Sequence, residues 1–204
     1  MQIRITDYWK KMNLAVFLRF IGIFFTFLIG LIVARKFGAE VSGIFFYSIM
    51  LANSISVISR LGLENIGMKL SSRNWSRKIA RKLSLISLLY FVSIGCILML
   101  LSTQFYQLIN TNIVNFNLPE KELLLIIVTS IAISITYYCV ETSKGSGFPI
   151  SSLIIAHILS PLLFCLFLFL SMISAHENLM LLYCIATSLT AVLSILFLFS
   201  IIKK

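Results

Sequence analysis

Six stretches of about twenty mainly apolar residues recur along the 204-residue chain, at roughly 14–34, 41–59, 83–103, 122–140, 150–173 and 179–202. A helix needs roughly 17–25 such residues to cross the ~30 Å hydrocarbon core of a bilayer, and each stretch meets that length. The longest intervals between them, 60–82 and 104–121, are too short to fold as a soluble domain. The chain therefore reads as an all-α integral membrane protein of six transmembrane helices, a single lobe over 1–204 with no soluble domain. Composition agrees: 59% of residues are hydrophobic and 12% charged, where soluble domains run at about 45–50% and 25%. The first apolar stretch ends in Ala34-Arg35-Lys36 rather than a small-x-small cleavage site, so the N-terminus is expected to stay attached. Cys96, Cys139, Cys165 and Cys184 all lie in apolar runs with no CxxC spacing and no His at ligand distance. They read as buried thiols, and no metal or redox site is expected.

Orientation follows from the 17 Lys and Arg, because cytoplasmic connections retain positive charge. Thirteen fall in the N-terminal arm, the 60–82 connection, the connection at Lys144 and the C-terminus; Arg35, Lys36 and Lys121 fall on the other side, and Arg19 lies inside the first span. Both termini are thus expected to be cytoplasmic. The net charge of +10 reads as this topology signal and as attraction to anionic lipid, worth about 1 kcal/mol per basic residue at the surface. Nucleic acid is not an expected partner. Within 60–82, Arg73, Arg77 and Arg81 repeat every four residues, and Trp75 and Ile79 accompany them. A helix there would turn a basic face to anionic phospholipid headgroups. Gly62 and Gly67 predict a helix break before a restart at Trp75, and the Asn74-Trp75-Ser76 sequon is expected to face the cytoplasm unmodified.

Asp7, Glu40, Glu64, Glu120, Glu122, Glu141 and Glu177 all fall at span ends or in loops. No facing carboxylates, Walker loop, GxSxG or HExxH pattern is present, so no enzyme activity or cofactor is expected. His157, four residues before Pro161, reads as a hydrogen-bonded packing residue rather than a proton carrier, and His176 as an outer-loop residue. Pro161 should bend the fifth span by deleting a backbone hydrogen bond. Tyr137 and Tyr138 read as an interfacial aromatic belt. Two polar groups inside spans remain. Arg19 lies about 8–9 Å deep, where it either snorkels to the surface or contacts an anion, its guanidinium fork being suited to a diphosphate. Asn53, deep in the second span, must find a partner, for which a neighbouring helix is the expected source.

Phe17-Leu18-Arg19-Phe20-Ile21-Gly22, then Val33 to Phe45 with its Ala34-Arg35-Lys36-Phe37-Gly38 loop, then Arg60-Leu61-Gly62-Leu63-Glu64, resemble the start of the polysaccharide-exporting flippases. The resemblance is to O-antigen translocases of the multidrug/oligosaccharidyl-lipid/polysaccharide exporter superfamily and covers about residues 14–70. It implies translocation of an undecaprenyl-diphosphate-linked oligosaccharide across a bacterial inner membrane by alternating access. It further implies that Arg19 faces a cationic cavity, and that Arg35 and Arg60 stand at its two mouths in gating or headgroup roles. Family members usually carry twelve or fourteen spans in two lobes, whereas six are read here. A parallel homodimer could rebuild both walls of the path; a truncated frame that lacks its second lobe accounts equally for the number. The competing functions are a non-transporting scaffold subunit of a polysaccharide assembly complex and, less favoured, a membrane sugar transferase.

Overall fold

The computed structural model describes residues 5–72, 77–101, 120–174 and 178–203, and among these the chain is almost entirely helical, with no strand. The order is α1 (Ile5–Arg60), α2 (Leu63–Ser72), α3 (Arg77–Leu100), α4 (Glu120–Gly145), α5 (Pro149–Ile154), a π-helical turn (Ile155–Leu159), α6 (Ser160–Ser174) and α7 (Leu179–Lys203). Several of these are long and apolar enough to cross a membrane.

At 56 residues, α1 would be about 84 Å long if straight, far more than a bilayer accommodates. It is not straight. Gly38 leaves the helical region at φ 78°, ψ 175°, a backbone conformation that side-chain-bearing residues rarely adopt. A Cβ added to Gly30 would sit 3.8 Å from the Phe46 ring, and Ile29 and Val33 share a core cluster with Phe45. Residues 30 and 46 of a straight helix would be about 24 Å apart, so the chain must reverse at Gly38. α1 is a hairpin of two limbs, 5–37 and 39–60. The sequence predicts a loop between 34 and 41; one glycine is enough.

α4 is the central helix and packs against α1, α2, α3, α5 and α7. Its inward positions are small and hydroxylated: Thr129, Ser130, Ser134, Thr136, Thr142 and Ser143 are all buried. Small side chains let helix backbones approach closely, which matters in lipid because apolar side chains gain little by leaving it for each other. Ser134 meets Ser59 Oγ at 2.8 Å and Ser56 Oγ at 3.1 Å, joining α4 to the second limb of α1. Toward the Gly38 end the core is aromatic. Phe45 stacks on Phe164 at 5.5 Å, and Tyr183 stands edge-on to both rings.

One expectation about the 60–82 connection is corrected. The break lies at Leu61 and Gly62, both with positive φ, but Gly67 does not interrupt α2. It is buried within it, where a Cβ would collide with the Thr142 hydroxyl. A Cβ on Gly145 would likewise strike the Met68 carbonyl, so paired glycines bring α2 down onto the end of α4. Ser71 donates to the Thr142 carbonyl at 2.8 Å and bonds the Ser146 hydroxyl. The described chain takes up again at Arg77, already in α3, and the restart expected at Trp75 lies outside the described residues. Residues 73–76, with Arg73 and the sequon, and the side chains of Arg77 and Arg81 lie outside the described residues, as does His176.

The irregularity expected at Pro161 takes the form of the π-helical turn immediately before it. Proline has no N–H to offer the His157 carbonyl four residues earlier, and a widened turn accommodates the loss. Gly22 of the first α1 limb packs directly on that carbonyl, where any Cβ would collide with it.

A candidate functional site inside the helical bundle

Both limbs of α1, α4, the π-helical turn, α6 and α7 line an open-sided cavity of about 770 Å³. That volume lies within the ~300–1,000 Å³ range of small-molecule sites. Arg19 and Asn53, 34 positions apart in sequence, line it together because α1 folds back at Gly38. Both are exposed. From the Arg60 end of the second limb, Asn53 lies about 10 Å in at helical rise; from the Gly145 end of α4, Ile133 to Tyr137 lie about 12–18 Å in. The cavity thus lies at mid-height along the helices and is open on the side of Arg19, Ile23, Phe27 and Asn53.

Asn53 corrects its expectation. Its Nδ2 donates to the Ile49 carbonyl one turn back in the same helix, at 3.0 Å, not to a neighbouring helix. That bond leaves the side-chain carbonyl available as an acceptor.

The remaining polar lining is hydroxylic. Thr26 donates to Gly22 O at 2.9 Å, Thr136 to Ala132 O at 2.8 Å, Thr187 to Tyr183 O at 3.0 Å and Thr190 to Thr187 O at 2.7 Å. With each proton committed to its own helix, the hydroxyl oxygens remain as acceptors. His157 also lines the cavity, at the π-helical turn. No carboxylate lines this cavity among the described residues. One permanent cation, one imidazole and a set of neutral acceptors suit a ligand that combines an anionic group with hydroxyls.

The structure does not bring all four sequence-predicted residues together. Arg60 is nearly buried, at 9% exposure, and does not line the cavity. Its Nε donates to Ser56 O at 3.2 Å, it is ion-paired with Glu64, and its guanidinium lies 4.5 Å from the Tyr137 ring centroid. Tyr137 does line the cavity, so Arg60 packs behind one of its lining residues. Arg35 is exposed near the Gly38 turn, about 24 Å along the first limb from Arg19, and takes no part in the cavity. Tyr137 and Tyr138 form no belt: Tyr137 faces the cavity and Tyr138 is buried at 1% exposure, because α4 runs on to Gly145. Of the cysteines, Cys139 and Cys184 are buried, Cys165 is half-buried and Cys96 is exposed; all four are free.

Sequence reasoning missed Thr26, Thr136, Thr187 and Thr190. A signal existed only for Thr187 and Thr190, hydroxyl residues three apart in an apolar run and so on one face of a helix. Compared with protein-family models, curated proteins and solved structures, the chain matches none.

Proposed function

We propose that this chain crosses a bacterial inner membrane six times with both termini cytoplasmic, and that it translocates undecaprenyl-diphosphate-linked oligosaccharide in O-antigen or related polysaccharide biosynthesis. The convergence of Arg19 and Asn53 on one carboxylate-free cavity carries the proposal. A guanidinium inside a span costs at least about 2.5–3.5 kcal/mol at mid-membrane, a cost that an anion in the cavity offsets. The fork engages two diphosphate oxygens at once, while hydroxyl and amide acceptors at Thr26, Asn53, Thr136, Thr187 and Thr190 receive sugar hydroxyls.

The hairpin at Gly38 supports six crossings, since it divides α1 into two spans. Charge placement supports the orientation. Arg60, Lys69, Lys82 and Lys144 belong to the end where α2 caps α4, and Arg35, Lys36 and Lys121 to the other. Lys121 and Lys144 are about 35 Å apart along α4, a bilayer's thickness. Because Arg19 and Asn53 remain exposed, the path needs a further wall, supplied by a second copy or a second lobe.

The test is surface export in a strain that lacks its own flippase and makes a matching lipid-linked repeat. The wild-type chain should restore polysaccharide to the surface. Arg19→Ala should insert equally and lower export at least tenfold, and Arg19→Lys should recover part of it, since an ammonium keeps the charge without the fork. Export unchanged in Arg19→Ala would overturn the assignment, and would favour a scaffold that transports nothing.

A further inference from the structure

Away from the central cavity, α2 and α3 diverge around an apolar slot of about 240 Å³. The two helices touch each other little, because α2 is drawn onto α4 by the Gly67 and Gly145 contacts. Leu63 and Ile66 of α2 form one wall, Leu83, Ile86 and Tyr90 of α3 the other, and Tyr138 of α4 the floor. From Leu83 to Tyr90 the slot follows α3 for about 10 Å, so it is a groove running two turns along a helix.

Three further features point to an occupant. The Tyr138 side chain is almost wholly buried, and its hydroxyl has no hydrogen-bond partner among the described residues. Leu61, on the rim, is the one non-glycine residue with positive φ among those described, at 44°, and leaves its side chain 73% exposed. A leucine in that conformation is strained, and here the strain buys an apolar lip to the slot. Lastly, helical spacing sets two cations beside the residues that line the slot. Lys82 immediately precedes Leu83 and stands four residues before Ile86; Lys69 stands three after Ile66 on α2. Both are exposed, and neither has an ion-pair partner among the described residues, in contrast to Arg60 and Lys144.

Positive charge beside a narrow apolar groove, at the level where a helix lies across the end of a bundle, complements one kind of molecule. We infer that this slot holds a resident anionic phospholipid, one acyl chain between Ile66 and Ile86 and the headgroup phosphate between Lys69 and Lys82. The inference does not depend on the translocation proposed above, since none of these residues lines the central cavity.

Native mass spectrometry of the full chain in detergent, titrated with dioleoyl phosphatidylglycerol or dioleoyl phosphatidylcholine, tests it. The expected result is one phosphatidylglycerol retained per chain in preference to phosphatidylcholine. Ile86→Trp, which fills the slot, should weaken that binding at least tenfold. Leu89→Trp, on the exposed side of α3, should leave it unchanged. The double variant Lys69→Gln, Lys82→Gln threatens no packing and should lower phosphatidylglycerol affinity about fivefold per lysine and abolish the preference over phosphatidylcholine. Retention by Ile86→Trp at wild-type affinity, equal loss in Leu89→Trp, or a preference that survives the double lysine variant would each show ordinary annular lipid and overturn the site.

Discussion

The first limb of α1 and the central helix α4 are almost equally apolar, yet they stand at opposite extremes of burial. In its most apolar stretch α4 is 67% buried, whereas the corresponding stretch of α1 is only 17% buried. The first limb touches its neighbours through a narrow stripe of Gly22, Ile29 and Val33 and leaves Phe17, Phe20, Phe24 and Phe27 exposed. α4 instead turns serine and threonine to helices on several sides. In lipid, then, hydropathy decides whether a helix enters the membrane and small hydroxyl residues decide which helix the others gather around.

The comparison breaks most visibly where large side chains do carry packing. Phe164→Ala removes the centre of the Phe45, Phe164 and Tyr183 cluster and should destabilise the protein by about 3–5 kcal/mol, read from reversible unfolding in mixed micelles. Ser134→Leu raises hydropathy but overpacks the contact with Ser56 and Ser59. A loss of about 1–3 kcal/mol is expected in the same assay, and a gain in stability would show that hydropathy, not close approach, positions α4. Phe24→Leu, on the exposed face of the first limb, should change stability by no more than about 0.5 kcal/mol. A larger effect would mean that this face is packed against protein, and would sharpen the case for a second copy or lobe. Asn53→Ala should be equally mild in unfolding, since it gives up one intrahelical bond at an exposed position, while lowering export measurably.

Much of the architecture was legible in the sequence because lipid imposes a length and a polarity on every span. The helix irregularity at Pro161 was legible for a similar reason, since a missing N–H has no remedy in an apolar helix. Gly67 was misread because a glycine that breaks a helix and one that admits a neighbouring backbone look alike until the neighbour is known. Tyr137 and Tyr138 were misread because the hydropathy of α4 fades before the helix ends, in the hydroxyl-rich Thr142-Ser143 turn. For the cavity, Arg19 and Asn53 stood out as polar groups inside apolar runs. Arg60 stood out too, but its pairing with Glu64 four residues on, an ordinary helical spacing, was the better guide to its place. Thr26 and Thr136 were hidden because a lone hydroxyl bonded to its own helix is nearly neutral on a hydropathy scale.

The most direct test of the central claim is transbilayer movement in proteoliposomes that hold the chain and a fluorescent undecaprenyl-diphosphate-linked oligosaccharide, read by the accessibility of the sugar to an external lectin. The account expects movement faster than in protein-free liposomes, reduced at least tenfold by Arg19→Ala at equal insertion and less severely by Asn53→Ala. Movement no faster than in protein-free liposomes, or equally fast with Arg19→Ala, would contradict it.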